Sequence, residues 1–176
     1  TLLTSGGLGT MGFALPAAIG AKLGRPEAEV WVVAGDGGFQ MTQAELATLV
    51  QEKLDVKIAI VDNGYLGMVR QWQEFFYERR YAATPLLSPN FVKLAEAYHA
   101  VGIRCEKPGD LDDAIRQMID TPKPVIFDCV VDQAENCFPM IPSGRAHNEM
   151  LLGDAAELAG ALGPFDIAYL DPPYNH

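Results

Sequence analysis

Two short polar segments, each following an apolar run, carry the residues best suited to chemistry in this sequence. Asp36 lies among glycines in GDGG after residues 30–34, and Asn63 follows residues 57–61, 27 residues further along. A carboxylate and an amide oxygen are hard donors that suit Mg²⁺ or Ca²⁺ better than zinc. Two such donors leave much of an octahedral Mg²⁺ shell open, usually for substrate phosphates. The pair therefore predicts a cation site that also binds a diphosphate.

The residues after Asp36 fit such a ligand. Gly37 and Gly38 have no side chains, so their backbone N–H groups can approach phosphate oxygens closely. Thr42 and Glu45 have the spacing of a capping box, which predicts a helix from Thr42 to about residue 53 with its positive end near the ligand. A plainer interpretation stays open, because GDG is also common in tight turns where the aspartate caps a helix.

Strand-like and helix-like segments alternate along the chain, which predicts an α/β fold. We expect a doubly wound parallel sheet with helices on both faces, in which the Val-rich first strand is buried on both of its faces and the second strand is also buried. Ligands bind such sheets beyond the carboxyl ends of the strands, so Asp36 and Asn63 would meet if their strands are neighbours. The predicted helices cover about residues 13–23, 42–53, 68–77, 90–100 and 110–119, and the predicted strands 29–34, 57–61, 102–106 and 124–131.

Charge and composition argue against several classes of protein. The net charge of -10 disfavours nucleic-acid binding through a broad basic surface. No apolar run approaches the roughly 18 residues of a membrane span, so we expect no membrane contact. Cys105, Cys129 and Cys137 lack metal-ligand spacing. Cys105 and Cys129 lie in strand-like runs and are interpreted as reduced core thiols in a cytoplasmic protein. The chain opens without Met inside a Gly-rich loop, and we interpret it as part of a longer protein.

Longer motifs resemble one enzyme family. The segment GDGGFQMTQAELATLVQEKLDVKIAIVDN resembles the signature of thiamine-diphosphate enzymes, with Asp62 where that signature more often has Asn. The segments SGGLGTMGFALPAAIGAKLGRP, NGYLGMVRQWQEFFYERRY and PNFVKLAEAYHAVGIRCEKPGDLDDAI resemble the catalytic large subunit of acetolactate synthase. The resemblance covers about residues 4–152. It implies that residues 1–157 are the C-terminal thiamine-diphosphate-binding domain, truncated at its N-terminus.

The resemblance also implies roles for individual residues. Asp36, Asn63 and the backbone carbonyl of Tyr65 would be the Mg²⁺ ligands, and Met11, Met68 and Trp72 would act at the reacting centre. From the residues alone, Met11 fits ordinary core packing, and Met68 and Trp72 fit an apolar helix stripe. Cofactor contacts are implied for Gly9, Met11, Gly35, Asp36, Gly37, Gly38, Asn63, Tyr65, Gly67 and Met68, with the Gly9 carbonyl accepting from the aminopyrimidine.

The implied activity is the condensation of two pyruvates, or of pyruvate and 2-ketobutyrate, to an acetohydroxy acid with loss of CO₂. This reaction serves isoleucine and valine biosynthesis. The implied cofactors are thiamine diphosphate and Mg²⁺, with FAD held largely by another domain of the full-length enzyme. The resemblance further implies a homodimer or larger oligomer with the site at the subunit interface, leaves a small regulatory subunit open, and predicts that this chain alone is inactive. A eukaryotic source would make the location plastid or mitochondrial.

Three alternatives stay open. The chain could belong to another thiamine-diphosphate carboligase or to a 2-keto acid decarboxylase. It could also be a domain that only assembles with a partner chain. Thirdly, it could be a DNA methyltransferase fragment, because FDIAYLDPPYN within residues 158–176 resembles the DPPY motif of amino-group DNA methyltransferases. Since nothing upstream supplies the glycine-rich partner of that motif, we expect this tail to be no functional domain.

Overall fold

The computed structural model describes residues 1–146 and 148–151. Helices and strands alternate along this part of the chain, as predicted. The strands are β1 (Val30–Gly35), β2 (Val56–Asp62), β3 (Val101–Cys105) and β4 (Val125–Val130). The helices are α1 (Ala14–Gly24), α2 (Asp36–Gln40), α3 (Leu46–Gln51), α4 (Gly67–Phe76), α5 (Phe91–Ala97) and α6 (Leu111–Asp120), with single 3-10 turns at Gln43–Glu45 and Pro108–Asp110.

The described strands form one parallel sheet in the order β1-β2-β4-β3. Gly35 at the end of β1 is paired with Val61 of β2, and Val61 is paired with Cys129 of β4. The carboxyl ends of these three strands are therefore side by side at one edge of the sheet. The predicted α/β fold, a parallel sheet with helices on both faces, is confirmed.

The main core lies on one face of the sheet. Ile58 and Ile60 of β2 are fully buried there, between Val32 of β1 and Ile126 of β4. Fully burying a side chain of this size contributes about 1.5–3 kcal/mol, so this face supplies much of the stability. The helices contribute Leu15, Leu46, Leu49, Phe91 and Ala95 to the same cluster.

The other face is covered unevenly. Met118 of α6 packs against Ile103, Val125 and Phe127 of β3 and β4. Trp31 and Val33 of β1 are 38% and 66% exposed. The prediction that β1 is buried on both faces is therefore wrong, because α6 lies over the opposite half of the sheet and β1 is an edge strand among the described residues.

The helix predicted from Thr42 is also different. A short helix, α2, begins at Asp36 directly after β1, and α3 begins only at Leu46. The Thr42 hydroxyl donates to the carbonyl of Gly12 at 2.9 Å and makes no cap hydrogen bond. Thr42 therefore ties the N-terminal Gly-rich loop to the segment after α2, so the capping-box prediction is wrong.

Two expectations concern residues outside the described part of the chain. The tail at 158–176, with its DPPY motif, lies outside the described residues, and so does the predicted domain boundary at residue 157. Among the described residues, no helix has the length and apolar character needed to cross a membrane.

Candidate functional site

Asp36 is the most buried acid at the carboxyl edge of β1. It is the first residue of α2 and is 1% exposed. Its Oδ2 accepts a hydrogen bond from the Ser88 hydroxyl at 2.8 Å, while its Oδ1 is buried without a partner. Burial raises the pKa of this carboxyl. The Ser88 hydrogen bond opposes the rise, the charge of Asp62 adds to it, and the backbone N–H groups of Gly37 and of Asp36 itself also oppose it. A buried acceptor without a donor costs stability, so this oxygen is suited to a cation.

Asn63 follows the end of the neighbouring strand. Its Oδ1 accepts from the backbone N–H of Tyr65 at 3.0 Å, which fixes the amide and leaves one lone pair of that oxygen free. A Cβ at Gly67 would lie 3.0 Å from Asn63 Nδ2, so a side chain there would press on the amide. Tyr65 is held in place by an isolated antiparallel bridge to Pro85.

The glycines predicted to contact a diphosphate surround the start of α2. Gly35 ends β1, and Gly38 faces the N-terminal loop, since a Cβ there would lie 3.9 Å from the Gly12 nitrogen. A Cβ at Gly37 would lie 2.9 Å from Leu66 Cδ2, 3.0 Å from Leu86 Cδ1 and 3.6 Å from Met11 Cε. Met11 therefore lies beside α2.

The N-terminal loop that carries Met11 also contains the predicted Gly9. Gly9 has φ +61°, a conformation that favours glycine. Its N–H donates to the Ser5 carbonyl at 2.7 Å, which closes a tight turn. The Thr42–Gly12 hydrogen bond and the position of Met11 beside Gly37 bring Met11 to the same end of the sheet as Asp36. Gly9 precedes Met11 by two residues in the same loop.

A charged network lies at the ends of the other strands. Asp128 of β4 is fully buried, and its Oδ2 accepts a hydrogen bond from Arg104 Nη1 of β3. The same Nη1 lies 3.9 Å from Asp62 Oδ2, and Asp62 Oδ1 accepts from the Gly64 N–H at 3.2 Å. Burial raises the pKa of the Asp128 carboxyl, and Arg104 opposes the rise. The network therefore supports the turn that carries Asn63.

Helix α4 is attached to the segment that follows β4. The buried Arg70 donates from Nη2 to the carbonyls of residues 134 and 135 at 3.0 Å and to Asn136 Oδ1 at 2.6 Å. The buried Gln71 donates to the Cys137 carbonyl at 2.9 Å and accepts from its N–H at 2.8 Å. These contacts fix the rotation of α4 about its own axis.

Met68 and Trp72 lie one turn apart on α4 and are both partly buried. Trp72 packs edge-on against Phe76, with ring centroids 5.4 Å apart. Because α4 begins at Gly67, four residues after Asn63, these side chains extend from the same turn that carries the amide. The structure thus links them to the site through α4.

The arrangement fits a diphosphate held through a divalent cation. It offers a buried, unpartnered carboxylate oxygen and a fixed amide oxygen at the ends of adjacent strands. An open cavity of about 970 Å³ beside Asn63 is lined by Asp62, Ser88, Arg104 and Gln133, among others. Asp36 and the glycines of α2 are not among its lining residues, so the cavity reaches the Asn63 side of the arrangement and not the Asp36 side.

Sequence reasoning missed Ser88, Asp128 and Arg104. Ser88 lies just before the helix that Asn90 caps, and a serine at such a position carries no signal of a metal site. Asp128 is an acid inside an apolar strand, VIFDCV, and that break in pattern was the one available signal for a buried charge. No spacing rule connects Ser88 to Asp36, which precedes it by 52 residues.

Comparison with known proteins identifies the family of this chain. The family model for the C-terminal thiamine pyrophosphate-binding domain of thiamine pyrophosphate enzymes matches residues 1–129. The chain belongs to this family, and the parallel sheet with the site at its carboxyl edge agrees with that assignment.

Individual proteins that are similar to this chain make the family assignment more specific. The chain is 51% identical over 156 residues to an acetolactate synthase of Mycobacterium leprae, covering 85% of this chain and 25% of the relative. It is 48% identical over 151 residues to an acetolactate synthase large subunit of Cyanidium caldarium, covering 85% and 26%. The mitochondrial acetolactate synthase of Schizosaccharomyces pombe is 46% identical over 155 residues, covering 88% and 23%. The predicted resemblance is confirmed, and the chain spans about a quarter of the length of these relatives.

Proposed function

We propose that this chain is the part of an acetolactate synthase that holds the diphosphate end of thiamine diphosphate through Mg²⁺. The observation that carries the proposal is the buried, unpartnered Oδ1 of Asp36 at the end of a strand adjacent to that of Asn63. The family match to a thiamine pyrophosphate-binding domain supports it. The substrates would be pyruvate with a second pyruvate or 2-ketobutyrate, as in branched-chain amino acid biosynthesis.

Each predicted residue would have its own role, which follows from its position in the site. Asp36, Asn63 and the carbonyl of Tyr65 would hold Mg²⁺, and the N–H groups of Gly37 and Gly38 at the start of α2 would donate to the diphosphate. Gly67 keeps space beside Asn63, since a Cβ there would lie 3.0 Å from the amide nitrogen, and Gly35 would contact the cofactor. Bound thiamine diphosphate supplies the nucleophilic carbon and the electron sink for decarboxylation of a 2-keto acid.

The remaining predicted residues would orient the reacting parts. Gly9 would accept a hydrogen bond at its carbonyl, and Met11 would pack under the cofactor with its adaptable thioether. Met68 and Trp72 would line the approach of the 2-keto acid and exclude water from it. Holding both reactants in a fixed geometry lowers the entropic part of the barrier.

The proposed assembly extends beyond this chain. A homodimer or larger oligomer would complete the site at a subunit interface, FAD would bind largely in another domain, and a small regulatory subunit stays open. The location would be the cytoplasm, or an organelle in a eukaryote; one relative is named as mitochondrial.

The proposal is tested at Asp36. We expect Asp36→Ala to weaken Mg²⁺-dependent binding of thiamine diphosphate by more than about 100-fold, beyond the loss typical of residues that only support a ligand. Thermal stability should be retained or increased, since burying an unpartnered carboxylate oxygen opposes folding. Calorimetric titration of the chain with thiamine diphosphate, in Mg²⁺ and in chelator, measures the binding.

Asp112→Ala is the matched control, because Asp112 is an exposed acid on α6 and its loss changes the net charge equally. Binding by Asp36→Ala equal to that of Asp112→Ala would contradict the proposed metal site. So would binding by the parent chain that is the same in Mg²⁺ and in chelator.

We also expect the 176-residue chain to produce no acetolactate from pyruvate in the presence of thiamine diphosphate and Mg²⁺. By resemblance, the glutamate that protonates the pyrimidine ring lies in another domain. A colorimetric acetoin assay measures the product, and multiple turnovers by the chain alone would contradict this expectation. In the longer protein, free aldehyde as the main product would favour the decarboxylase alternative.

A further inference from the structure

Residues 84–88, which we call the strap, cross the carboxyl edge of the sheet next to the proposed metal site. The N–H of Leu66 donates to the Thr84 carbonyl at 2.9 Å, and the N–H of Leu86 donates to the Gly64 carbonyl at 2.8 Å. The strap is thus hydrogen-bonded to the turn after Asn63. Its last residue, Ser88, is brought against Asp36 at the end of β1.

Ser88 has two side-chain partners. Its hydroxyl lies 2.8 Å from Asp36 Oδ2 and 3.3 Å from Gln40 Nε2. The same Nε2 donates to the Asp36 backbone carbonyl at 3.2 Å. A backbone carbonyl can only accept, so the amino group of the Gln40 amide must face it, and that group can only donate to Ser88. The single hydroxyl proton of Ser88 is therefore directed to Asp36.

This arrangement distinguishes the two carboxylate oxygens of Asp36. Oδ2 is engaged by Ser88, whereas Oδ1 is buried without a partner. A carboxylate held by one oxygen presents the other in a fixed direction. Hydrogen bonds of this kind to ligating carboxylates typically change metal affinity by about 10- to 100-fold.

We propose that Ser88, oriented by Gln40, is a positioning residue that turns Oδ1 of Asp36 toward the divalent cation. This inference rests on the proposed function, because it takes Asp36 to be a metal ligand. It assigns to the strap a part in metal binding that the spacing of the two strand-end segments does not reveal.

The test measures metal affinity without catalysis. Mn²⁺, a hard cation with similar ligand preferences, is titrated into the 176-residue chain with thiamine diphosphate, and free Mn²⁺ is followed by electron paramagnetic resonance. We expect Ser88→Ala to weaken Mn²⁺ binding by about 10-fold or more. Ser88→Thr keeps the hydroxyl and should bind nearly as the parent does.

Leu87→Ala is the control on the same strap, since Leu87 is 100% exposed. It should leave Mn²⁺ binding unchanged. Gln40→Ala should weaken binding less than Ser88→Ala, because it loosens the hydroxyl without removing it. Thermal unfolding shows whether each variant is folded. If Ser88→Ala does not fold, the Mn²⁺ affinity of Gln40→Ala is the measurement that tests the inference.

Asp36→Ala separates the two hypotheses. If Asp36→Ala loses Mn²⁺ binding while Ser88→Ala and Gln40→Ala bind as the parent does, the role of Ser88 is wrong and the metal site stands. If Asp36→Ala itself binds as the parent does, the proposed function fails. Equal weakening by Ser88→Ala and Ser88→Thr would also overturn the inference, because the hydroxyl would then not matter.

Discussion

Replacing Arg104 with alanine is expected to lower the free energy of unfolding by about 3 kcal/mol. This is the lower end of the range, roughly 3–5 kcal/mol, that is seen when a buried ion pair loses one partner. Asp128 is fully buried and receives its charged hydrogen bond from Arg104. Arg104 itself is 39% exposed, so water that enters the space moderates the loss. Urea unfolding at neutral pH, followed by circular dichroism, measures the change.

Two further variants identify the cause of the Arg104 effect. Arg116→Ala removes an exposed arginine that pairs with Asp113 and should change stability by less than about 1 kcal/mol. Arg104→Met combined with Asp128→Leu should recover most of the loss, since apolar replacement of both partners is often neutral. If Arg104→Ala were as mild as Arg116→Ala, Asp128 would not depend on Arg104 for its charge balance.

The second large effect is expected at Gly102. A Cβ at this position in β3 would lie 2.6 Å from Val92 Cα and 2.9 Å from the Val92 carbonyl oxygen. Both are backbone atoms of α5, so Gly102→Ala must displace that helix. We expect a loss of about 3 kcal/mol, at the upper end of the usual range for overpacking. Mn²⁺ binding should also be weakened, because only Pro89 and Asn90 separate α5 from the strap.

Gly20→Ala is the matched substitution. Nothing lies within 4 Å of a Cβ at Gly20, which is inside α1. The same chemical change should therefore stabilise the chain there, by about 0.5–1 kcal/mol. Chemical unfolding of both variants measures the contrast, and a Gly102→Ala chain as stable as the parent would mean that α5 and β3 are not packed this closely.

The order and type of the main elements could be predicted because each strand and helix has its own local pattern. The alternation of Val-rich runs with helix-like segments was sufficient for the parallel sheet. The closeness of the β1 and β2 ends also follows from sequence, since consecutive strands of such units are often neighbours. Asp36 and Asn63 were therefore within reach of prediction.

Other features depend on contacts between distant segments. Arg104 meets Asp128 only because β4 lies between β2 and β3, and residue spacing does not fix that order. Thr42 has the sequence context of a helix N-cap, yet its hydroxyl donates to the carbonyl of Gly12, which lies 30 residues earlier in the chain. The exposure of Val33 depends on how far α6 extends over the sheet. The Val-rich sequence of the strand carries no information about that extent.

The attachment of α4 to residues 134–137 has a consequence for protein engineering. Arg70 and Gln71 lie between Met68 and Trp72 in sequence but face the segment beyond β4. A chimaera that imports α4 from a relative, in order to vary Met68 and Trp72, would place new residues at positions 70 and 71 against a segment that does not match them. Both segments should be transplanted together, and libraries that randomise the helix should leave these two anchoring positions unvaried.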